Sequence, residues 1–302
     1  MQLNHEIVKA PLFRRIGAAL TDIFLALIVF LAFNSYVFTP LFANSFSYYE
    51  NLEVYEEIML ESNLYYQDDN GNIYELIQEF PNGDFKQGEL AFYKKVDNNI
   101  EFFYIKYDGK GVELDNYYQQ QKNSNLYNFE NGKYVLKDNI NIEDYKTFIS
   151  NEFDKAVSSF TKIDDKYVEI ARSFIIFQVT TILLSLSVSF IIVYLIIPLL
   201  MKNNETVGQK LLSIGVVSLK DGFAIKKSQF LIRFLVIFLI EGLLSILLFA
   251  IPLIVSFSMM IFNKNALSLH DYLSATICVD KKHILIYKNF DEFIKHEQIL
   301  LK

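Results

Sequence analysis

Four charged residues stand at or beside sequence that otherwise suits lipid: Arg15, Asp22, Arg233 and Asp271. Arg15 and Asp22 lie seven residues apart in RRIGAALTDIFL (14–25). Seven residues make about two helical turns, so both fall on one face, with Asp22 about 10 Å deeper at 1.5 Å per residue. A charged Asp at mid-membrane costs roughly 2.5–3.5 kcal/mol on insertion scales, so it faces other helices, meets a cation or carries a proton. Arg233 lies at a comparable depth in a later apolar run, which predicts an Asp22–Arg233 pair. Asp271 follows that run at the membrane boundary, level with Arg15, which predicts an Arg15–Asp271 pair. Two chemistries fit such a network. One is a polar lock that sets helix register; the other is an ion or proton pathway, for which intramembrane acids are common relay groups.

Two further residues are secondary candidates. Glu241 falls at the outer interface or within the third run, and the interfacial position is the expectation. His270, beside Asp271, reads as a satisfied interfacial histidine or as a proton acceptor. Asn34, Ser35 and Thr39, with Gln178, Thr180, Thr181, Ser185, Ser187 and Ser189, could extend a path, although isolated Ser and Thr more often bond their own helix backbone.

Other chemistries find no support. The four histidines, at 5, 270, 283 and 296, are scattered and suggest no metal site. Thr206–Lys210 has a Gly and a Lys without a Walker frame. No nucleophile–base arrangement and no cofactor motif is present, so no enzyme is expected. Cys278 is the single cysteine, which excludes an internal disulfide. Arginine is confined to positions 14, 15, 172 and 233, and no basic stripe suggests nucleic acid.

The elements that must carry these residues follow from hydropathy. Residues 17–42, 173–201 and 229–262 are long apolar runs. About 20 apolar residues cross a bilayer, and the first two runs pass that test. The first is too long, and too interrupted by Asp22, for a cleaved signal segment. The third would make about 51 Å of helix, too long for one upright span and short for two. Glu241-Gly242 and Pro252 interrupt it, so it is either a third span or a hairpin of two short helices. Residues 212–219 and Ala275–Val279 are short and β-branched; if they pair, both lie on one side and the hairpin follows.

The net charge of −7 conceals a division. Residues 43–168 hold 24 acids against 12 lysines, a net of −12. The short flanks before the first run and after the second are basic, which places both in the cytoplasm and the acidic segment outside. Within that segment a helix over Phe46–Leu60 extends the first span, and Asn141–Lys166 extends the second inward from outside. Strands are expected at Ile73–Phe80, Glu89–Val96, Ile100–Tyr107 and Tyr134–Lys137, separated by Asn/Asp/Gly turns such as Pro81-Asn82-Gly83-Asp84 and Asp97-Asn98-Asn99. No internal repeat is visible. Residues 284–301 suit an amphipathic surface helix.

Arg15 (or Arg14) and Asp22 in RRIGAALTDIFL, ETVGQKLLSIGVVSLKDG (205–222) and SLHDYLSATICV (268–279) together resemble the RDD family of membrane proteins. That family is named for an Arg at the start of its first helix, an Asp within it and a later Asp, which match Arg15, Asp22 and Asp271. It usually has Gly-Lys where this chain has Gly208-Gln209-Lys210, and Gly where Ala275 precedes Thr276. The resemblance covers about 1–42 and 172–280 and implies a membrane protein, with transport of an undetermined ligand as the usual suggestion.

The expected architecture is an α-helical integral membrane protein of two full spans plus a C-terminal helical hairpin or third span, with an extracytoplasmic α+β insert. Its parts are 1–42, cytoplasmic N-terminus and first span; 43–168, external domain; 169–201, second span; 202–228, cytoplasmic loop; 229–262, hairpin or third span; and 263–302, cytoplasmic tail. The expected setting is the cell membrane, multi-pass. The expected function is transport or ion permeation around Asp22; the alternative is a receptor or scaffold whose external domain binds a protein. Lipid, a small ion or solute and such a protein are the partners this implies.

Overall fold

The computed structural model describes residues 8–79 and 88–300. Continuous apolar sequence leaves no polar face to turn to water, and three helices here are long and apolar enough to cross a bilayer, which is consistent with a membrane protein. The chain divides into two compact units, residues 1–41 with 180–302, and residues 42–179. The elements that build the first unit are, in chain order, α1 (Leu12–Ser45), α2 (Asp165–Leu200), α3 (Val207–Leu211), β1 (Ile214–Ser218), α4 (Lys227–Leu247), α5 (Ile251–Phe262), α6 (Leu269–Leu273), β2 (Thr276–Asp280) and α7 (Phe290–Leu300). The chain runs through α1 into the second unit and returns through α2.

The apolar run 229–262 is a helical hairpin. Phe249 and Ala250 take left-handed conformations, at φ 48° and 63°, and Pro252 then starts α5 where a missing N–H costs nothing. α5 has 12 residues, short of a full crossing. A π-helical turn, Val236–Leu243, interrupts α4. Eight residues of regular α-helix would leave Glu241 about 80° around the axis from Arg233. The wider π turn reduces that angle, and both side chains are buried.

Strands β1 and β2 pair antiparallel, from Ile214 opposite Asp280 to Ser218 opposite Thr276, as their β-branched sequence suggested. Each strand ends the same local motif. Thr206 caps α3, with its hydroxyl accepting from Gln209 N and its own N–H donating to Gln209 Oε1. Ser268 caps α6 in the same way, with Asp271 in the place of Gln209. Both helices have five residues, and each is followed by one left-handed residue, Ser213 or Ala275, before the strand begins. Val216 at the centre of β1 faces Cys278 at the centre of β2. Lys9, three residues before α1, bridges to Val279; Ala224, three residues before α4, bridges to Val217. Two copies of one arrangement, a bridge, two helices, a capped turn of helix and a strand, thus meet about a local two-fold axis. The sequence hides this, because within the capped motifs only Leu211 with Leu273 and Val217 with Val279 are identical.

The second unit departs from the expected strand meander. Glu89–Tyr107 is one helix, not two strands around an Asp97-Asn98-Asn99 turn. Phe92, Val96, Ile100, Phe103 and Tyr107 recur at spacings of three and four, and all are buried. Packing that stripe against Tyr145, Ile149, Phe153 and Phe160 of the helix Ile142–Ile163 overrides β propensity. Two small hairpins complete the unit, Tyr65–Gln67 with Ile73–Glu75 and Tyr127–Glu130 with Lys133–Leu136. Expected strand 73–80 is therefore cut to three residues, followed by a 3-10 turn at Leu76–Gln78; Phe80 and the 81–84 turn lie outside the described residues. The helix Tyr48–Glu61 is separated from α1 by Ser47 at φ 47°, and Asp164 separates Ile142–Ile163 from α2, so neither extends its span without a break.

Asp97 is the buried polar centre of this unit. Tyr127 donates to it at 2.7 Å and Tyr145 at 2.9 Å, and Tyr117 also donates to it. Burial raises its carboxyl above the usual range, and the three phenol hydrogen bonds offset only part of that. An acid raised on folding takes up a proton, so its contribution is present at low pH and lost as pH rises from about 4 through its folded value. Tyrosine near-ultraviolet circular dichroism of the full chain in denaturant should show this unit losing stability as pH rises from 4 to 8. Asp97→Asn should flatten that dependence while lowering stability by about 1–3 kcal/mol at low pH, the cost of an imperfectly satisfied buried group.

Candidate functional site

The site grows from one carboxylate. Asp271 is fully buried at the third position of α6. Arg15, entering from α1, donates from Nη2 to its Oδ2 at 2.8 Å. Arg233, from α4, donates to its Oδ1 and reaches Thr276 Oγ1 at 3.0 Å. Ser268 adds a hydroxyl at 2.8 Å. Burial alone would raise the Asp271 carboxyl; Arg233 outweighs it, helped by His270 and Arg15, and holds the group well below the carboxylate range. The Arg15–Asp271 pair is therefore present, whereas the expected Asp22–Arg233 pair is absent: Arg233 bonds Asp271 instead.

Among the described residues Asp22 makes no hydrogen bond or salt bridge to a guanidinium; Arg233 acts on it only at electrostatic range. Its Oδ2 accepts from Thr206 Oγ1 at 2.5 Å and its Oδ1 from Gly208 N at 2.7 Å. It thus satisfies free N–H and hydroxyl donors at the start of α3. Gly208 makes this approach possible, since a Cβ there would lie 2.2 Å from the carbonyl oxygen of Ala18. Matched depth and opposite charge could not reveal a backbone N–H as the partner; the Thr206-Val207-Gly208-Gln209 cap signature was the available signal. Arg14, the neighbour of Arg15, serves the strand ends. It donates from Nε to Leu212 O at 2.9 Å and from Nη1 to Asp280 at 2.7 Å, holding that carboxyl down to about 2.

Glu241 is buried on α4, away from the hairpin turn, which corrects the interfacial expectation. Ser256 on α5 donates to its Oε1 at 2.6 Å. His270 Nδ1 lies 2.9 Å from its Oε2, and His270 N donates to Oε1 at 3.3 Å. The far side of the ring faces Asp271, with Nε2 4.0 Å from Oδ1. His270 is therefore a bridge between two carboxylates. One chain of polar groups, all buried except the half-buried His270, runs Ser256–Glu241–His270–Asp271 and ends on Arg15 and Arg233.

A cavity of about 80 Å³ borders this chain, lined by Arg15, Gln209, Arg233, Ser268, His270 and Cys278, with apolar side chains between them. That is large enough to admit water. Arg15 Nε is buried without a partner among the described residues. Burial, then Asp271, pushes the Cys278 thiol up, so it stays neutral. The expected polar line on α2 is largely inward bonding: Ser185 donates to Thr181 O at 2.6 Å and to Asn34 Oδ1 at 3.2 Å, and Ser189 to Ala26 O at 2.5 Å. Among the described residues no cluster of His, Cys, Asp and Glu could hold a metal ion.

Residues 167–275 match the model of the RDD family, consistent with an RDD family protein. That segment contains Arg233, Glu241, His270 and Asp271, together with the capped motif that holds Asp22. No curated protein and no solved structure matches the chain.

Asp271→Asn leaves two buried guanidiniums on a neutral amide and should cost about 3–5 kcal/mol, the range for breaking a buried pair. Gly208→Ala should cost about 1–3 kcal/mol by forcing α3 off α1. Thermal scans of the purified protein in detergent would read both, with Lys282→Ala, an exposed control, unchanged.

Proposed function

Taking residues 167–275 as an RDD family membrane segment, we propose that this protein passes a small ion or solute across the cell membrane, through the buried chain around His270 and not around Asp22. The observation that carries this reading is the ring of His270, set on the short helix α6 between Asp271 of that helix and Glu241 of the apolar helix α4. Intramembrane ionisable groups are costly and mark pathways when they form a chain. Asp22 lacks that character because permanent donors occupy both of its oxygens.

The orientation is part of the proposal. Lys9, Arg14 and Arg15 before α1, and Lys202, Lys210, Lys220, Lys226 and Lys227 after α2, favour the cytoplasm for both flanks. The acidic insert then lies outside. Pairing of β1 with β2 supports a return of the chain to the cytoplasmic side after the α4–α5 hairpin. A second reading, a non-catalytic receptor or scaffold, is favoured by the insert's own core, which would serve a protein partner.

Reconstitution into vesicles loaded with ion- and pH-sensitive dyes separates the two. Glu241→Gln should reduce flux at least tenfold per folded molecule. Asp22→Asn should lower the yield of folded protein with flux per molecule within about twofold. Full flux in Glu241→Gln, or loss of function only on deletion of 64–140, would favour the receptor reading.

A further inference from the structure

The two-fold arrangement makes residues that are remote in sequence into counterparts. Gly208 and His270 hold the same place, second in a five-residue helix behind a capping Thr or Ser. The backbone N–H of each donates to an acid on the first helix of its own half. Gly208 N donates to Asp22 of α1, and His270 N to Glu241 of α4. Asp22 is thirteen residues beyond its bridging residue Lys9, and Glu241 is seventeen beyond Ala224. The second acid therefore sits about one helical turn further along, and its helix carries the π turn.

The difference between the halves is a side chain. In the first, glycine lets α1 close onto α3, and the carboxylate accepts its hydrogen bonds from a hydroxyl and an N–H, neither of which ionises near neutrality. In the second, an imidazole fills the gap that the deeper acid leaves. We infer that the membrane segment is a duplicated unit in which Asp22–Gly208 is a permanent cap and its counterpart Glu241–His270 is a proton-binding site. The inference rests on the transport reading for its purpose and names the proton as the exchanging species.

The proton has a defined place. With Glu241 ionised, Nδ1 carries a hydrogen toward it, and the free pair of Nε2 faces Asp271. One proton arriving from water binds Nε2 and converts imidazole to imidazolium; its departure restores the neutral ring and the same bonds. Histidine is the side chain suited to this change between pH 5 and 8. The groups facing it are Glu241 and Arg233 on α4, Arg15 on α1, Asp271 on its own helix and Cys278 on β2, with the Ser256 hydroxyl on α5. The Tyr194 phenol on α2 is within electrostatic reach of both Asp22 and Glu241. The cavity beside the ring and the 20% exposure of its side chain supply access that Asp22, at 4%, lacks.

The test is a pH titration of ¹⁵N-histidine-labelled full-length protein in nanodiscs, with His270→Gln used to assign the resonance. In the wild type, Nε2 of His270 should titrate between pH 5 and 9 while Nδ1 stays protonated. Glu241→Gln should lower the midpoint, weakening proton affinity at least tenfold, and Asp22→Asn should leave it within about twofold. A ring that keeps one protonation state from pH 5 to 9 in the wild type would overturn the site, without depending on any variant folding. So would a midpoint that ignores Glu241→Gln in protein whose thermal melt matches the wild type. Titration without vesicle flux would keep the site and remove the transport reading; flux without titration would do the reverse.

Discussion

One carboxylate, that of Asp271, accepts from two guanidiniums that arrive on different helices. Arg15 comes from the start of the chain and Arg233 from more than two hundred residues later, and both are at least nine-tenths buried. A lone charge in that environment would be driven to neutrality. Together the three groups, with Ser268 and Thr276, satisfy most of one another's hydrogen bonds. This fixes α1, α4 and α6 to one another. Because α6 leads directly into β2, the same contact sets the strand pair on which both halves of the membrane segment meet.

From this fixed point the acids divide by role. Asp271 is held ionised and serves as an anchor. Asp22 closes the start of α3 and binds it to α1, an approach that tolerates only glycine at 208. Glu241 is the one of the three whose side-chain carboxylate lies within hydrogen-bond distance of an imidazole, Nδ1 of His270. Three buried carboxylates of the same chemistry thus differ in their donors: guanidinium, backbone N–H with hydroxyl, or imidazole.

The second unit obeys the rules of a water-exposed domain. Its core is aromatic, with Phe92, Phe103, Phe153 and Phe160 and a set of tyrosines, and it needs no disulfide. The tyrosines bring hydroxyls into the core, and Asp97 accepts three of them, so the polar burden is shared within one cluster.

Legible in the sequence were the apolar runs, the polar residues within them, the resemblance to the RDD family, the two short β-branched segments that could pair, and the Arg15–Asp271 contact. Each of these rests on hydropathy, local periodicity or charge at a boundary, which are properties of short segments. It misread the helix Glu89–Tyr107 as two strands, because a run rich in Tyr, Phe and Ile satisfies both periods until its packing partner is known. It paired Asp22 with Arg233, because a capping motif marks the start of a helix with free N–H groups but not which acid will meet them, and glycine at 208 records only that something comes close. What needed the tertiary structure were the partners of Asp22 and Glu241, the placement of His270 between two acids, and the two-fold relation of the halves. Those depend on distances between residues up to 270 apart in the chain, from Lys9 to Val279, and on a shared geometry that almost no residue identity preserves.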